Sequence, residues 1–206
     1  MTEQQAASKS GMMERWQTIA RRIRVPLGFA TAGLYLFELW RRPPHPGAIA
    51  WSLLLVVPGL WLRGYASGYV KKNRELTQTG PYAFTRNPLY LGSILIAAGF
   101  AMALLSWQVA GMLAAMFLII YVPVIASEER FLRSTFPDFD AYCRRVPRLV
   151  PRVTPGVRQT EVSPGKFSLD LYLRHREYNA AIGAALLYLS LLFLRPALGL
   201  VAHVPH

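Results

Sequence analysis

The sequence contains one cysteine in 206 residues, which excludes a disulfide scaffold and a multi-cysteine metal site. Charged residues are also scarce, at 17% of the chain, compared with about 25% in a typical soluble domain. Acidic residues are the rarer kind, 11 against 23 basic ones. Hydrophobic residues reach 53%, which excludes an intrinsically disordered chain. This composition favours an integral membrane protein.

The motifs of the common soluble enzyme classes are missing. The chain has no G-x-G-x-x-G, no P-loop, no H-E-x-x-H and no G-x-S-x-G. Their absence removes the sequence signal for a soluble nucleotide-binding fold, a zinc hydrolase or a serine hydrolase.

Long stretches without charge dominate the rest of the sequence. Asn87–Ser127 holds 41 residues without Asp, Glu, Lys, Arg or His, about twice what one helix needs to cross a bilayer. We expect two passes here that turn near Ser106-Trp107-Gln108. Three shorter apolar runs are Val25–Trp40, Gly47–Leu62 and Tyr178–Leu194. The pattern predicts an all-α bundle of about five transmembrane helices; the alternative is a set of core helices in a soluble protein.

The position of the basic residues predicts an orientation. With the N-terminus inside and five spans, 20 of the 23 basic residues lie on the inner side, and only Arg41, Arg42 and Arg195 lie outside. The charge of +12 then needs no nucleic acid as a partner, and membrane lipids are the expected one. We expect an integral protein of a bacterial inner membrane with its C-terminus outside. No obligate protein partner is indicated.

The chain reads as one domain over residues 1–206. Residues 1–24 form a cytoplasmic N-terminal segment without a cleavage signal. Residues 128–176 form a cytoplasmic segment between the fourth and fifth spans, in which helical spacing of apolar residues predicts two short helices broken at Pro137. These helices either lie along the inner leaflet or pack as a cap on the protein itself.

Two polar groups on the inner side are candidates for chemistry. In the first, Gly80-Pro81 predicts a turn and Pro88 predicts the start of a helix, whose N-terminus suits an anion; alternatively this is a simple cap with Arg86 on lipid phosphate. The second is Glu128-Glu129 at the inner end of the fourth span, where two acids oppose the helix dipole and invite a cation. The alternative is pairing with Arg130 or Arg133.

Two lesser candidates have simple explanations. Cys143 lies beside Arg144 and Arg145, where a thiol could have a lowered pKa, but a passive cysteine is the simpler view. Glu38 precedes Arg41 at a spacing that allows an ion pair on one helix face.

Together the two groups resemble the isoprenylcysteine carboxyl methyltransferase-like family, which includes the phospholipid methyltransferases. The first family motif, G-P-Y-x-x-x-R-H-P-x-Y-x-G, stands here as Gly80-Pro81-Tyr82, Arg86-Asn87-Pro88 and Tyr90-x-Gly92. The second, E-E-x-x-L-x-x-x-F-G and then Y-x-x-x-V and a proline, stands as Glu128, Glu129, Leu132, Phe136, Pro137, Tyr142, Val146 and Pro151. The late Arg176-Glu177-Tyr178 is similar to bacterial members, so the resemblance covers about residues 70–195.

The resemblance implies an S-adenosylmethionine site at the inner membrane face and methyl transfer to a small or lipidic acceptor. The implied cofactor-binding residues are Leu76, Thr77, Tyr82, Arg86, Asn87, Pro88, Leu89, Tyr90, Glu128 and Glu129. S-adenosylmethionine carries an ammonium group, a carboxylate and a sulfonium. They require, respectively, a protein carboxylate, N–H or guanidinium donors, and aromatic faces, and these residues supply all three. No metal is implied, and no catalytic residue is assigned.

Departures from the family pattern bear on the acceptor. Asn87 replaces the usual His, and an amide cannot relay a proton near neutral pH. Val124 stands where prenylcysteine-specific members have an Arg, so a prenylated protein is disfavoured as acceptor. Arg176 is the candidate to orient the acceptor instead. Two rival classes of protein remain. One is a sterol-reductase-like enzyme that binds NADPH, and Leu89 argues against it because those reductases have an Asn at this position. The other is a non-catalytic protein that keeps the fold.

Overall fold

A computed structural model describes residues 29–42, 44–71, 75–157 and 165–194. The predicted N-terminal segment 1–24, the start of the first apolar run and the C-terminal end lie outside these residues. The described part is helical. Its elements are α1 (29–41), α2 (Pro46–Ser67), a 3₁₀ turn (Gly80–Ala83), α3 (Pro88–Leu104), α4 (Trp107–Met116), a π segment (Phe117–Tyr121), α5 (Val122–Thr135), α6 (Phe139–Arg145), α7 (Leu169–His175), α8 (Tyr178–Leu189) and a second π segment (Ser190–Leu194).

Proline and short polar side chains set the helix boundaries, and the predicted helix start at Pro88 is confirmed. Pro46 and Pro88 open α2 and α3, where the missing N–H costs nothing. The predicted turn in the long charge-free run is confirmed: α3 ends at Leu104, and Ser106 Oγ caps α4 by accepting from Val109 N at 3.3 Å.

Among the described residues, two helices are long and apolar enough to cross a bilayer, Pro46–Ser67 and the continuous Trp107–Thr135. Only 22% of each most apolar window is buried, whereas core helices of a soluble protein are mostly buried, so that alternative does not fit. Trp51, Trp61 and Phe193 are more than 60% exposed on the outer faces. Pro88–Leu104 and Tyr178–Phe193 are apolar but shorter, so the count of five spans stays a prediction.

The core gathers residues from five helices. Leu39 of α1, Val56 of α2 and Val109 of α4 are at most 2% exposed and pack in one cluster with residues of α3 and α8. Small residues allow α2 and α3 to approach closely: a Cβ on Gly59 would lie 2.8 Å from the Gly92 carbonyl oxygen. α2 and α3 are therefore packed tightly against each other, and the loop with the first motif connects them.

The sequence analysis was wrong about where the helix predicted as the fourth span ends. The helix does not end at Glu128-Glu129 but continues to Thr135, with Arg133 in its last turn, where a basic side chain is favourable. A π turn, with Val122 N–H donating to Phe117 O, precedes Pro123, whose ring nitrogen has no hydrogen to donate.

The short helix after this span settles the choice between a helix on the membrane surface and a cap. α6 follows the predicted break at Pro137, and its apolar residues Phe139 and Tyr142 are 1% and 2% exposed. They pack with Val146, Val157 and Leu76 in a second cluster. The apolar face of α6 is therefore covered by the protein, and the structure supports the cap.

Candidate active site

The first motif is a loop between α2 and α3 whose shape depends on its glycine. Gly80 has φ +60°, a conformation that side chains disfavour, and it opens the 3₁₀ turn that carries Tyr82. Tyr82 is buried at 8% exposure, and its carbonyl accepts a hydrogen bond from Tyr142 Oη of α6 at 2.7 Å. The two sequence motifs are therefore in direct contact.

The segment after α6 runs along this loop and holds it by backbone hydrogen bonds. Arg86 N donates to Pro147 O at 2.9 Å, and Arg152 N donates to Phe84 O at 3.0 Å. Asn87 Nδ2 donates to the Arg148 carbonyl at 2.9 Å and makes no side-chain cap on α3. The residue that replaces the family His thus secures the loop.

Glu129 is the centre of a buried ionic cluster. Its side chain is 10% exposed, with Arg86 Nη1 3.2 Å from Oε1. Arg148 Nε also donates to Oε1 at 3.0 Å, and Arg148 Nη2 donates to Oε2. For Glu129, the structure therefore shows Arg86 and Arg148 as partners where the alternative expected Arg130 or Arg133, and Arg86 binds this carboxylate.

Arg133 has a different partner, Asp140 of α6, at 2.8 Å. Cys143 of the same helix accepts a hydrogen bond from Arg86 Nη1 through its sulfur at 2.6 Å. The Cys143 side chain therefore helps to orient Arg86, which fits the passive view of this residue. The expected pair between Glu38 and Arg41 also forms, at 3.6 Å.

Tyr82 lies within electrostatic reach of three further groups from separate elements. Burial raises the pKa of the Tyr82 phenol above its ordinary value, and the charges of Glu128 and Glu177 and the Tyr90 hydroxyl raise it further. The phenol is therefore neutral at physiological pH and is able to donate a hydrogen bond. Tyr90 meets Tyr121 of the neighbouring π segment edge to face, with ring centroids 5.5 Å apart.

Two polar atoms among the predicted residues are buried and lack a partner. Within the described ranges, buried side-chain N or O atoms without a hydrogen bond are Thr77 Oγ1, Arg86 Nε and Glu38 Oε2. Two of these three belong to the predicted cofactor-binding set. Because orphaned buried polar groups cost free energy, their coincidence on this loop is the clearest structural sign of a ligand site.

The remaining predicted residues differ in how they are placed. Leu76 packs on the α6 cluster, Pro88 is buried in the first turn of α3, and Leu89 offers its carbonyl oxygen to Arg63 at 3.3 Å. Glu128 is exposed. Arg176 is exposed too, with φ +54° in the turn between α7 and α8, and it is Glu177 beside it that points inward.

An apolar cavity of about 590 Å³ borders the same loop. Residues of α2 and α3, among them Trp61, Tyr65 and Leu95, form its helical walls. The remainder consists of loop residues and of the segment after α6: Tyr69, Thr79, Gly80, Pro81, Ala83, Phe84, Thr85, Pro151, Pro155 and Val157. The hydroxyl groups of Tyr65 and Tyr69 form a hydrogen bond, with 2.9 Å between the two oxygen atoms. That hydrogen bond and burial raise the pKa of Tyr69 to about 12, so it stays neutral. The cavity can take an uncharged, elongated group.

Three charged residues of the site were missed by the sequence analysis. Arg63 and Glu177 pair at 2.8 Å, although they are 114 residues apart in the chain. Arg148 belongs to the ionic cluster around Glu129. Arg63 carried a signal as the first charge after the apolar run of α2, and Glu177 carried one as part of Arg176-Glu177-Tyr178.

Comparison with known proteins gives a family match for part of the chain. Residues 48–138 match the model of the phospholipid methyltransferase family. Over that segment, which is a little less than half of the chain, the sequence is similar to this family. The segment runs from α2 to Asp138, so it includes the first motif and both acids of the second, whereas Arg148 and Glu177 lie beyond it. The resemblance seen in the sequence is confirmed there.

Two curated relatives match about half of this chain. One is the cobalt-zinc-cadmium resistance protein CzcN of Cupriavidus metallidurans, 41% identical over 49% of this chain and 46% of its own length. The other is the nickel-cobalt-cadmium resistance protein NccN of Alcaligenes xylosoxydans xylosoxydans, 39% identical over the same shares. The chain thus spans about half the length of the relatives it matches. No solved structure gives a significant match.

Proposed function

We propose that this protein transfers a methyl group from S-adenosylmethionine to a small or lipidic acceptor at the inner face of the membrane. The observation that carries the proposal is the pair of unpartnered buried atoms, Thr77 Oγ1 and Arg86 Nε, on a loop of the matched family segment. The names of the two relatives state metal resistance and no reaction, and they leave this proposal unchanged.

The residues around the loop fit the proposed cofactor. Its carboxylate and hydroxyl groups would meet Thr77 Oγ1 and Arg86, and its ammonium would meet the exposed carboxylate of Glu128. Tyr82 and Tyr90 would supply aromatic faces for a sulfonium. When bound, S-adenosylmethionine supplies the activated methyl group.

The protein side of the chemistry consists of orientation and exclusion of water. Glu129 is held between two guanidinium groups, so it stabilises the loop and is poorly placed as a general base. The neutral Tyr82 phenol is able to donate a hydrogen bond, and it does not act as a base. The site therefore suits an acceptor that is already anionic, or one that reacts by proximity and desolvation.

The cavity supports a lipidic acceptor. Its lining is largely apolar, and Trp61 forms part of it while remaining 64% exposed on the outer face of α2. An apolar chain would reach the loop sideways, between α2 and α3. We propose Arg176, exposed at the start of α8, as the group that orients the polar end.

This function requires the loop to face the cytoplasm, where S-adenosylmethionine is made. We therefore propose five spans in a bacterial inner membrane, with the N-terminus inside and the C-terminus outside. Labelling of cysteines placed at positions 9 and 206, in a chain without Cys143, tests this orientation. Label that reaches position 9 from the outside would contradict it.

The proposed acceptor is tested by isotope-labelled methyl transfer in detergent. We expect labelled product from a host lipid extract, poor transfer to a prenylcysteine analogue, and reduced transfer in Arg176→Ala. Efficient turnover of the prenylcysteine analogue, undiminished in Arg176→Ala, would overturn the proposed acceptor and the role of Arg176.

A further inference from the structure

Arg63, near the end of α2, reaches across to the first turn of α3. Its Nη1 donates to the Leu89 carbonyl at 3.3 Å and also to Ser93 Oγ. Ser93 Oγ in turn donates to the same Leu89 carbonyl at 3.0 Å. One guanidinium nitrogen thus contacts two groups of the turn that carries Leu89 and Tyr90 of the first motif.

The other side of the same guanidinium is bound by the last helix. Arg63 Nε and Nη2 donate to Glu177 Oε2 at 3.0 and 2.8 Å. Glu177 is the residue immediately before α8. The side chains of Arg63 and Glu177 are only 24% and 13% exposed, so the pair is shielded from water and counter-ions.

The stem of Arg63 explains the last glycine of the first motif. A Cβ on Gly92 would lie 2.6 Å from Arg63 Cγ and 2.7 Å from the Gly59 carbonyl oxygen. Because Gly92 has no side chain, there is room for the Arg63 side chain to pass and reach Leu89. The motif glycine and Arg63 form one structural unit even though they belong to different helices.

We propose that Arg63 and Glu177 are positioning residues that fix the first turn of α3 in the geometry needed to bind the methyl donor. Arg63 holds the Leu89 carbonyl, and Glu177 holds Arg63 against α8 while its charge lies within reach of Tyr82. This inference rests on the proposed function. According to this proposal, the start of α8 helps to position the cofactor site. α8 lies outside the segment that matches the family model.

The test uses the full chain in detergent with three variants. Glu177→Gln removes the charge that holds Arg63, and Arg63→Lys keeps the charge but loses the forked contacts. The double exchange Arg63→Glu with Glu177→Arg restores attraction between α2 and α8 without a donor for Leu89. Glu75→Gln is the matched control, because Glu75 pairs with Lys71 at 3.0 Å in a half-exposed position.

Two measurements separate positioning from simple stability. We expect Glu177→Gln and Arg63→Lys to raise the dissociation constant of S-adenosylmethionine by about tenfold. The double exchange should recover the thermal midpoint while its affinity stays low. Backbone amides of residues 88–95 should exchange faster with deuterium in all three variants, and Glu75→Gln should behave as wild type in both assays.

The two ways of failing are distinguishable. If the double exchange recovers affinity together with stability, or if amide exchange at residues 88–95 is unchanged in Glu177→Gln, the positioning role is wrong. If the wild-type protein binds no S-adenosylmethionine, the proposed function is wrong, and amide exchange still reports whether Arg63 orders the turn.

Discussion

At the scale of single residues, adjacent acids have separate tasks. Glu128 is exposed, whereas Glu129 is buried between Arg86 and Arg148. Glu129 ties three separate segments together: α5, the motif loop and the segment after α6. Of the two acids, the exposed Glu128 is the one that we propose binds the ligand.

This division predicts different effects from the same substitution. Glu129→Gln should destabilise the protein by about 1–3 kcal/mol, because two partly buried guanidinium groups lose their counter-charge. Glu128→Gln should leave stability nearly unchanged. Thermal unfolding of both variants in one detergent checks this, and equal losses would show that the assignment of tasks is wrong.

Short-range partners were predictable from the sequence, and long-range ones were not. The pair between Glu38 and Arg41 follows from helical spacing alone. Of the two partners of Glu129, Arg148 lies 19 residues away, beyond a helix break, and Arg86 lies on the motif loop. Spacing therefore favoured the near arginines Arg130 and Arg133, and tertiary packing of the segment after α6 selected Arg148.

At the scale of elements, the closeness of α2 and α3 depends on residues without side chains. We predict that Gly92→Ala destabilises the protein by about 1–3 kcal/mol, because the added methyl group has no room beside Arg63 and Gly59. Gly111→Ala in α4 is the matched control, since a Cβ there meets nothing within 4 Å. A thermal melt of each variant decides, and equal midpoints would contradict the close approach.

Helix starts were easier to predict than helix ends. Prolines fixed the starts of α2 and α3, because a proline is readily placed in a first turn. The end of α5 was placed too early, at the acids, since the dipole argument considers one helix alone. The two guanidinium partners of Glu129, supplied by other elements, outweigh that local penalty.

At the scale of the molecule, chain direction brings the site together. α2 ends and α3 begins on the side where α8 begins, so Arg63, the motif loop and Glu177 meet there. The alternation of apolar runs and basic loops was enough to predict this common side. It was not enough to predict the cavity or the Arg63 pair, which depend on how the helices pack.

The most direct test of the account is calorimetric titration of the full chain in detergent with S-adenosylmethionine and, separately, with NADPH. We expect binding of S-adenosylmethionine alone. Loss of a charge-assisted bond in Glu128→Gln should weaken that binding by about 1–3 kcal/mol, while Glu75→Gln binds as wild type. Binding of NADPH, or full affinity for S-adenosylmethionine in Glu128→Gln, would contradict the proposed site.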